Sequence, residues 1–488
     1  MENPKLKTLH EEWLIEATID DMQEKLASGE LTSVELVHMY LHRIAEYDEE
    51  IRSVLEINPD ALHIAAALDA ELKTNGPRSP LHGIPVLLKD NLDTGDKMHT
   101  SAGSLALAGH CAERDSFAAA KLRAAGAVLL GKTNMTEWAN FMTFGMPSGY
   151  SSRGGQTVNP YGNFDVGGSS SGSGAAIASN FAAAAIGTET SGSILNPSLK
   201  NALVGIKPTV GLISRSGVIP IAHSQDTPGP MARTVRDAAH VLSAIAGADE
   251  KDPATLANPE PGGRNYAKEL TNTSLKGFRI GFAGEPYSNR MNKHKLALVE
   301  SAIATLKELG AEVVEAIEIP SAHENWGFEI LTYEFKPDLN AYLGATPASN
   351  PIRSLKDVIA FNEADPERML KYGQKLLVAS EDTRGSLTEP AYIHALERDQ
   401  YLAREQGIDY ALNKHGLDAI LFGGDRGSVI AAKAGYPSVI VPAGFIPNGE
   451  PFGVMFTGTA YSEQPLLNIA YAFEQATKSR RAPVLEKK

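Results

Sequence analysis

GGSSSGSGAAIASNFAAAAIGTETSGSILNP, residues Gly167 to Pro197, holds two serine- and glycine-rich loops joined by a run of small apolar residues. In the first, Gly167 to Gly174, no side chain is larger than a hydroxymethyl group, so the backbone is free to take positive φ and pack tightly. The second is Thr188-Glu189-Thr190-Ser191-Gly192-Ser193. The Ala-rich segment between them, Ala175 to Ile186, predicts a buried helix turning into a short buried strand, because small residues let backbones approach closely. Two serine loops are thereby tied together by a tight connection.

The segments on either side carry an alternating pattern of helices and strands. Thr32 with Glu35 three residues later reads as a helix N-terminus, followed by apolar positions at Val34, Val37, Leu41 and Ile44. Leu81 to Asn91 is an apolar strand signal that stops at Lys89, and a lysine at a strand end is ordinarily a solvated surface residue. Asp115 to Asn134 reads as helix, glycine stop and strand. Gly205 to Met231, punctuated by glycine and proline, reads as a long loop that lines a site, followed by a helix over Thr234 to Ala246. Residues 248–273 are polar and proline-rich, a surface excursion between halves. Strands are then predicted from Phe278 and over Glu312 to Val314, with a helix near Leu296 to Leu309 between them. Residues 320–410 carry mixed helical patterns with Trp326, Tyr333, Phe335 and Tyr342, and read as helical cover and pocket wall. Strand and turn signals return at Ala419, Tyr436 and Gly453 before a last helix, Pro465 to Thr477. With no internal repeat or clear linker, the reading is one large α/β domain over residues 1–488.

Composition narrows the chemistry. A chain of 488 residues, 43% hydrophobic, buries a large core. Its longest apolar run is far short of a membrane span, and MENPKLKTLHEEW lacks the apolar stretch of a signal peptide, so the expectation is a cytoplasmic protein. One cysteine, Cys111, leaves no internal disulfide, and no HExxH pattern occurs among the 13 histidines; metal chemistry and cofactors are not expected. A formal net charge of −14, with no basic run to offset it, argues against a nucleic-acid partner. Small-molecule or short-peptide substrates remain, and the oligomeric state is open between monomer and homodimer.

Gly168 to Gly172 formally matches the G-x-S-x-G elbow, with Ser170 as its serine, but a loop so rich in serine produces that match by composition. His323, His394 and His415 have no context that singles one out as a base, and neither a Walker pattern nor a G-x-G-x-x-G after a strand is present. Taken alone, the loop is equally a tight structural turn.

Taken with the motifs around it, the chain resembles the amidase signature family. GGSSSGSGAA, GTETSGSI up to Asn196-Pro197, GIKPTVGLISRSGVIP and the upstream GIPVLLKDN carry the resemblance in that order. So do the Leu-Thr-Ser-Val-Glu-Leu helix from Leu31 to Leu36, Gly131 to Trp138, Tyr436-Pro-Ser-Val-Ile-Val-Pro and the closing Ala-Tyr-Ala-Phe-Glu-Gln segment, leaving out only about 250–270 and 320–410. The resemblance implies a mixed, twisted central sheet covered by helices on both faces, with a signature core over about 80–240 and a C-terminal part over about 275–480 that completes sheet and pocket. It also implies a Ser-cisSer-Lys triad: Ser193 as nucleophile, Ser169 as the bridging serine behind a cis peptide bond, and Lys89 as base. The backbone amides of Thr190, Ser191, Gly192 and Ser193 are then the expected oxyanion hole. A serine hydroxyl is a weak nucleophile until a base takes its proton, and a lysine serves only when desolvation keeps it neutral, which makes sense of the apolar strand before Lys89.

Two departures bear on substrate. Many members, including the subunits that amidate glutamyl-tRNA, continue Ser-Ile-Arg after the nucleophile, whereas here Ser193-Ile194-Leu195-Asn196 lacks the cation. Ser171 also stands where glycine is common. The GTETxGSI form is similar to peptide amidases, which remove a C-terminal amide. A carboxamide or C-terminal peptide amide is therefore the expected substrate; an amidotransferase-type subunit in a complex and a non-catalytic binding member of the fold remain as alternatives.

Overall fold

The computed structural model describes residues 2–486. Its centre is one mixed eleven-stranded sheet. In chain order the strands are β1 (Val54–Ile57), β2 (Pro85–Lys89), β3 (Val128–Thr133), β4 (Ala184–Glu189), β5 (Val204–Lys207) and β6 (Thr227–Ala232). They continue with β7 (Arg279–Phe282), β8 (Glu312–Val314), β9 (Ala419–Gly423), β10 (Ser438–Phe445) and β11 (Pro451–Thr457). Their spatial order is β1-β3-β2-β4-β6-β5-β10-β11-β9-β7-β8. The trio β3-β2-β4 is parallel, as is β9-β7-β8; the pairings between these trios are antiparallel. Residues before 240 supply one half of the sheet and residues after 275 the other, joined where β5 meets β10. The main hydrophobic cluster packs flanking helices onto this sheet.

Local signals explain most of the elements. Thr32 and Glu35 form the reciprocal capping box of the helix Ser33–Ile51, whose buried face runs through Leu36, Val37, Met39 and Tyr40. Thr234 caps the helix Val235–Ile245, and Gly126, at φ 86°, turns the chain from the helix Phe117–Ala124 into β3. Residues 320–410 form helices, Glu329–Ala345 the longest, over a second hydrophobic cluster that includes Trp138, Phe141 and Phe335.

Two expectations change. Half of the first serine loop is helical: the helix runs Ser171–Ala178, so Ser171 to Gly174 form its opening turn. The long loop from Gly205 to Met231 is shorter than expected, because β5 and β6 take its two ends. Pro228 and Pro230 argued against a strand there. They are two residues apart, so both missing N–H groups fall on the same side of β6, while the ladder to β5 extends only to Gly205↔Met231.

Candidate active site

Strands β2 and β4 run side by side in parallel, so their carboxyl ends emerge together, the usual location of a site in an α/β sheet. β2 delivers Lys89 there behind Val86, Leu87 and Leu88, all fully buried, and Lys89 itself is 0% exposed. The surface reading of this lysine is overturned: β2 is an interior strand flanked by β3 and β4, so its end opens into protein. Lys89 Nζ lies 2.8 Å from Ser169 Oγ, 2.9 Å from Thr188 Oγ1 and 3.2 Å from the Thr188 carbonyl. Burial pulls its pKa down to about 7, against the opposing charges of Asp226 and Glu189.

Ser169 is fully buried and follows a cis peptide bond from Gly168. Ser170 ties the two serine loops together. Its N–H donates to the Ser193 carbonyl at 3.2 Å, and its hydroxyl donates to the Thr188 carbonyl and accepts from the Thr188 N–H. Ser193 is thereby held beside the Ser169 turn, 8% exposed, and its hydroxyl has no partner among the described residues. Ser170, committed on both sides and 0% exposed, lacks the free Oγ that an elbow nucleophile presents.

The close approach of these loops depends on Gly172. A Cβ there would meet the carbonyl oxygens of Asn134 and Ser53. We expect Gly172→Ala to push the Ser171–Ala178 helix off its seat and lower stability by about 1–3 kcal/mol, read as a shift in denaturant midpoint.

The turn after β4 is organised by Glu189, to which the motifs assign no role. Its fully buried carboxylate accepts N–H bonds from Gly192 at 2.7 Å, Ile194 at 2.7 Å and Leu195 at 2.9 Å. Burial pushes Glu189 upward while these donors and Lys207 pull it back. Of the four amides expected at an oxyanion hole, that of Gly192 is therefore already occupied. Those of Thr190, Ser191 and Ser193 meet no acceptor among the described residues. A lone acid in a neutral loop, followed by amides at three, five and six residues, was the available signal.

Two other fully buried lysines show why Lys89 is distinct. Lys132 Nζ donates to the carbonyls of Leu92 (2.7 Å) and His99 (3.0 Å) and to Thr100 Oγ1, with Asp90 and Asp93 near. Lys207 Nζ donates to the Tyr436 carbonyl between Glu189 and Glu463, and burial lowers it to about 8. Among the described residues, Lys89 alone of the three touches a serine hydroxyl.

Asn196 links both loops to the C-terminal half: its Oδ1 accepts the Gly168 N–H at 3.1 Å and its Nδ2 donates to Asp425 Oδ2 at 2.8 Å. Both residues line a cavity of about 430 Å³. A possible metal-ligand group among the described residues, His223, Glu334 and Asp338, is engaged internally and with Ser224 and Tyr392. No helix among the described residues is long and apolar enough to cross a membrane.

The sequence profile of the amidase family matches residues 35–423. This chain belongs to the amidase signature family. A probable amidase of Arabidopsis thaliana is 44% identical over 481 residues, spanning 96% of this chain and 91% of that protein. The peptide amidase of Stenotrophomonas maltophilia superposes with a TM-score of 0.91 at 46% identity, covering 97% of this chain and 99% of that one. The matching glutamyl-tRNA(Gln) amidotransferase component of Acinetobacter baumannii is more distant, 32% identical over 96% of this chain and 98% of its own length. This amidase is an amide hydrolase with the single-domain, mixed-sheet architecture of the peptide amidase.

Proposed function

We propose that this amidase releases ammonia from neutral carboxamides, C-terminally amidated short peptides among them, through an acyl-enzyme on Ser193. The observation that carries this reading is the fully buried Lys89 amine, 2.8 Å from Ser169 Oγ and poised near neutrality. With Lys89 neutral, Ser169 gives its proton to Nζ and takes the proton of Ser193 as Ser193 Oγ attacks the amide carbon. The oxyanion that forms on the former carbonyl is held by the N–H groups of Thr190, Ser191 and Ser193, each donor worth about 3 kcal/mol in the transition state. The proton then returns through Ser169 to the departing nitrogen, the C–N bond breaks, and ammonia leaves. Water attacks the Ser193 ester by the same relay, releasing the acid and restoring the serine.

The substrate class rests on Leu195 and Asn196, which follow Ser193 and bring no cation for a second carboxylate, and on the 46% identity to a peptide amidase. All three acting side chains fall within residues 80–240, which supports a signature core there, and β7 to β11 support a C-terminal part over about 275–480 that completes the sheet.

The test is ammonia release by the purified chain alone, across C-terminally amidated dipeptides, simple aliphatic and aromatic amides, glutamine and asparagine. Turnover of the peptide amides and neutral amides at least about tenfold better than of glutamine or asparagine is expected. Activity that appears only on adding other subunits and charged tRNA would favour the amidotransferase reading instead.

A further inference from the structure

We propose that the turn over residues 221–226 is a positioning device for Thr190, in which Gln225 and Asp226 hold the threonine by its carbonyl and its hydroxyl and leave its N–H for the oxyanion. This rests on the reading of Thr190 as an oxyanion donor. It adds a role for residues that neither the sequence motifs nor the catalytic serines and lysine account for.

Thr190 has three polar groups, and the turn takes two. Its Oγ1 donates to Asp226 Oδ1, and its carbonyl accepts from Gln225 Nε2 at 3.1 Å. The turn is itself closed. Asp226 Oδ2 accepts the N–H groups of Ile221 (2.8 Å) and Ala222 (2.9 Å), while the Ala222 carbonyl accepts those of Gln225 (3.1 Å) and Asp226 (2.9 Å). Gln225 and Asp226 are 2% and 7% exposed, so water offers little competition for these bonds. The outer side of the turn is bolted to the helix Glu329–Ala345. His223 N–H donates to Asp338 at 2.8 Å, and the Ser224 N–H and hydroxyl donate to Glu334 Oε2 at 3.0 and 2.9 Å. Glu334, fully buried, also accepts the Tyr392 hydroxyl at 2.8 Å. A loop left to ordinary turn geometry needs none of this second anchorage. The helical cover thus reaches the residue beside the reacting carbonyl through one rigid turn.

Asp226 has a second effect of opposite sign. The groups facing it are Lys89 from β2, Arg215, and, around a cavity of about 350 Å³, His223, Lys251, Asp252, Asp338 and Tyr342. Toward Lys89 its carboxylate favours the protonated ammonium, as does Glu189, opposing burial. Holding Thr190 assists the oxyanion, whereas the charge hinders the base, and two substitutions separate these effects. Thr190→Val removes the hydroxyl and keeps the charge. Asp226→Asn removes the charge, and with its amide turned so that Oδ1 faces Ile221 and Ala222, Nδ2 still reaches Thr190 Oγ1.

The experiment is the pH profile of kcat and kcat/KM for wild type, Thr190→Val and Asp226→Asn on one amide, with thermal melts to establish that each variant is folded. Thr190→Val should lower kcat about tenfold or more with KM changed less than about threefold, its rising limb unmoved. Asp226→Asn should move the rising limb to lower pH, since Lys89 then loses its proton more easily. Thr190→Val with wild-type kcat would overturn the proposal whatever the identity of the base. A folded Asp226→Asn whose limb stays in place would overturn the charge effect, provided Lys89→Ala removes that limb. If Lys89→Ala leaves the limb intact, the assignment of the base fails, and the Thr190→Val result still decides the positioning role.

Discussion

Ser193→Ala should reduce amide hydrolysis by at least about 10⁴-fold and leave a folded protein. The loss is large because, in the proposed reaction, the variant lacks the atom that forms the ester, so Ser169 and Lys89 have no proton to move. The fold should persist because Ser193 Oγ bonds to no described residue, and what the structure uses of Ser193 is its carbonyl, which accepts the Ser170 N–H. An unfolding free energy within about 0.5 kcal/mol of wild type is therefore expected. Labelling with a fluorophosphonate followed by peptide mapping checks the assignment: the adduct should sit on Ser193 and be absent from the variant. An adduct on Ser170 would revive the elbow reading, although the Ser170 hydroxyl is buried and engaged at both ends with the backbone of Thr188.

Substitution of Lys89 should cost nearly as much and carry a pH signature. As the proposed base, Lys89 works only as the neutral amine, so wild-type rate should rise with pH through a limb centred near 7 and level off above it; below that limb the ammonium would not accept the Ser169 proton. A solvated lysine, titrating near about 10.4, would place the same limb more than three units higher. Lys89→Ala should lower the rate about a thousandfold or more and abolish the limb. Lys89→Arg should be equally inactive, because a guanidinium does not lose its proton in this range. Retention by Lys89→Arg of more than about a tenth of the wild-type rate, a barrier change of only about 1.4 kcal/mol, would make the position electrostatic or structural.

What the sequence revealed divides along a physical line. Features set by neighbours in the chain were legible: the Thr32–Glu35 capping box, the glycine stop at Gly126, and the order and type of elements from Phe278 to Val314. Lys89, Ser169 and Ser193 were nominated by long ordered motifs rather than by any local property, and the β2 segment by itself pointed the wrong way for Lys89. Its burial comes from β3 and β4, whose adjacency is a matter of sheet order. The strand character of β6 was hidden for the same reason, since its prolines are acceptable only on a side where pairing has stopped. Gln225 and Asp226 belong to a loop that reads as lining a site, yet nothing near them in sequence indicates that they meet Thr190, 35 and 36 positions earlier. The cover over 320–410 was recognisable as helical, but its grip on that loop through Glu334 and Asp338 spans 110 and 115 positions.

The meeting of β5 with β10 has a consequence for how the protein is made on the ribosome. Every side chain of the proposed reaction has been synthesised before residue 230, yet the Lys207 ammonium under the nucleophile turn waits for the Tyr436 carbonyl, 229 positions later. β5 likewise has no outer neighbour until Ser438–Phe445 has emerged. A chain ending before β10 would carry those side chains in a half-sheet whose last strand, β5, has an open edge, with Lys207 lacking its Tyr436 acceptor. Ser438–Phe445, far from the serines in sequence, thus closes the sheet edge of their half of the molecule.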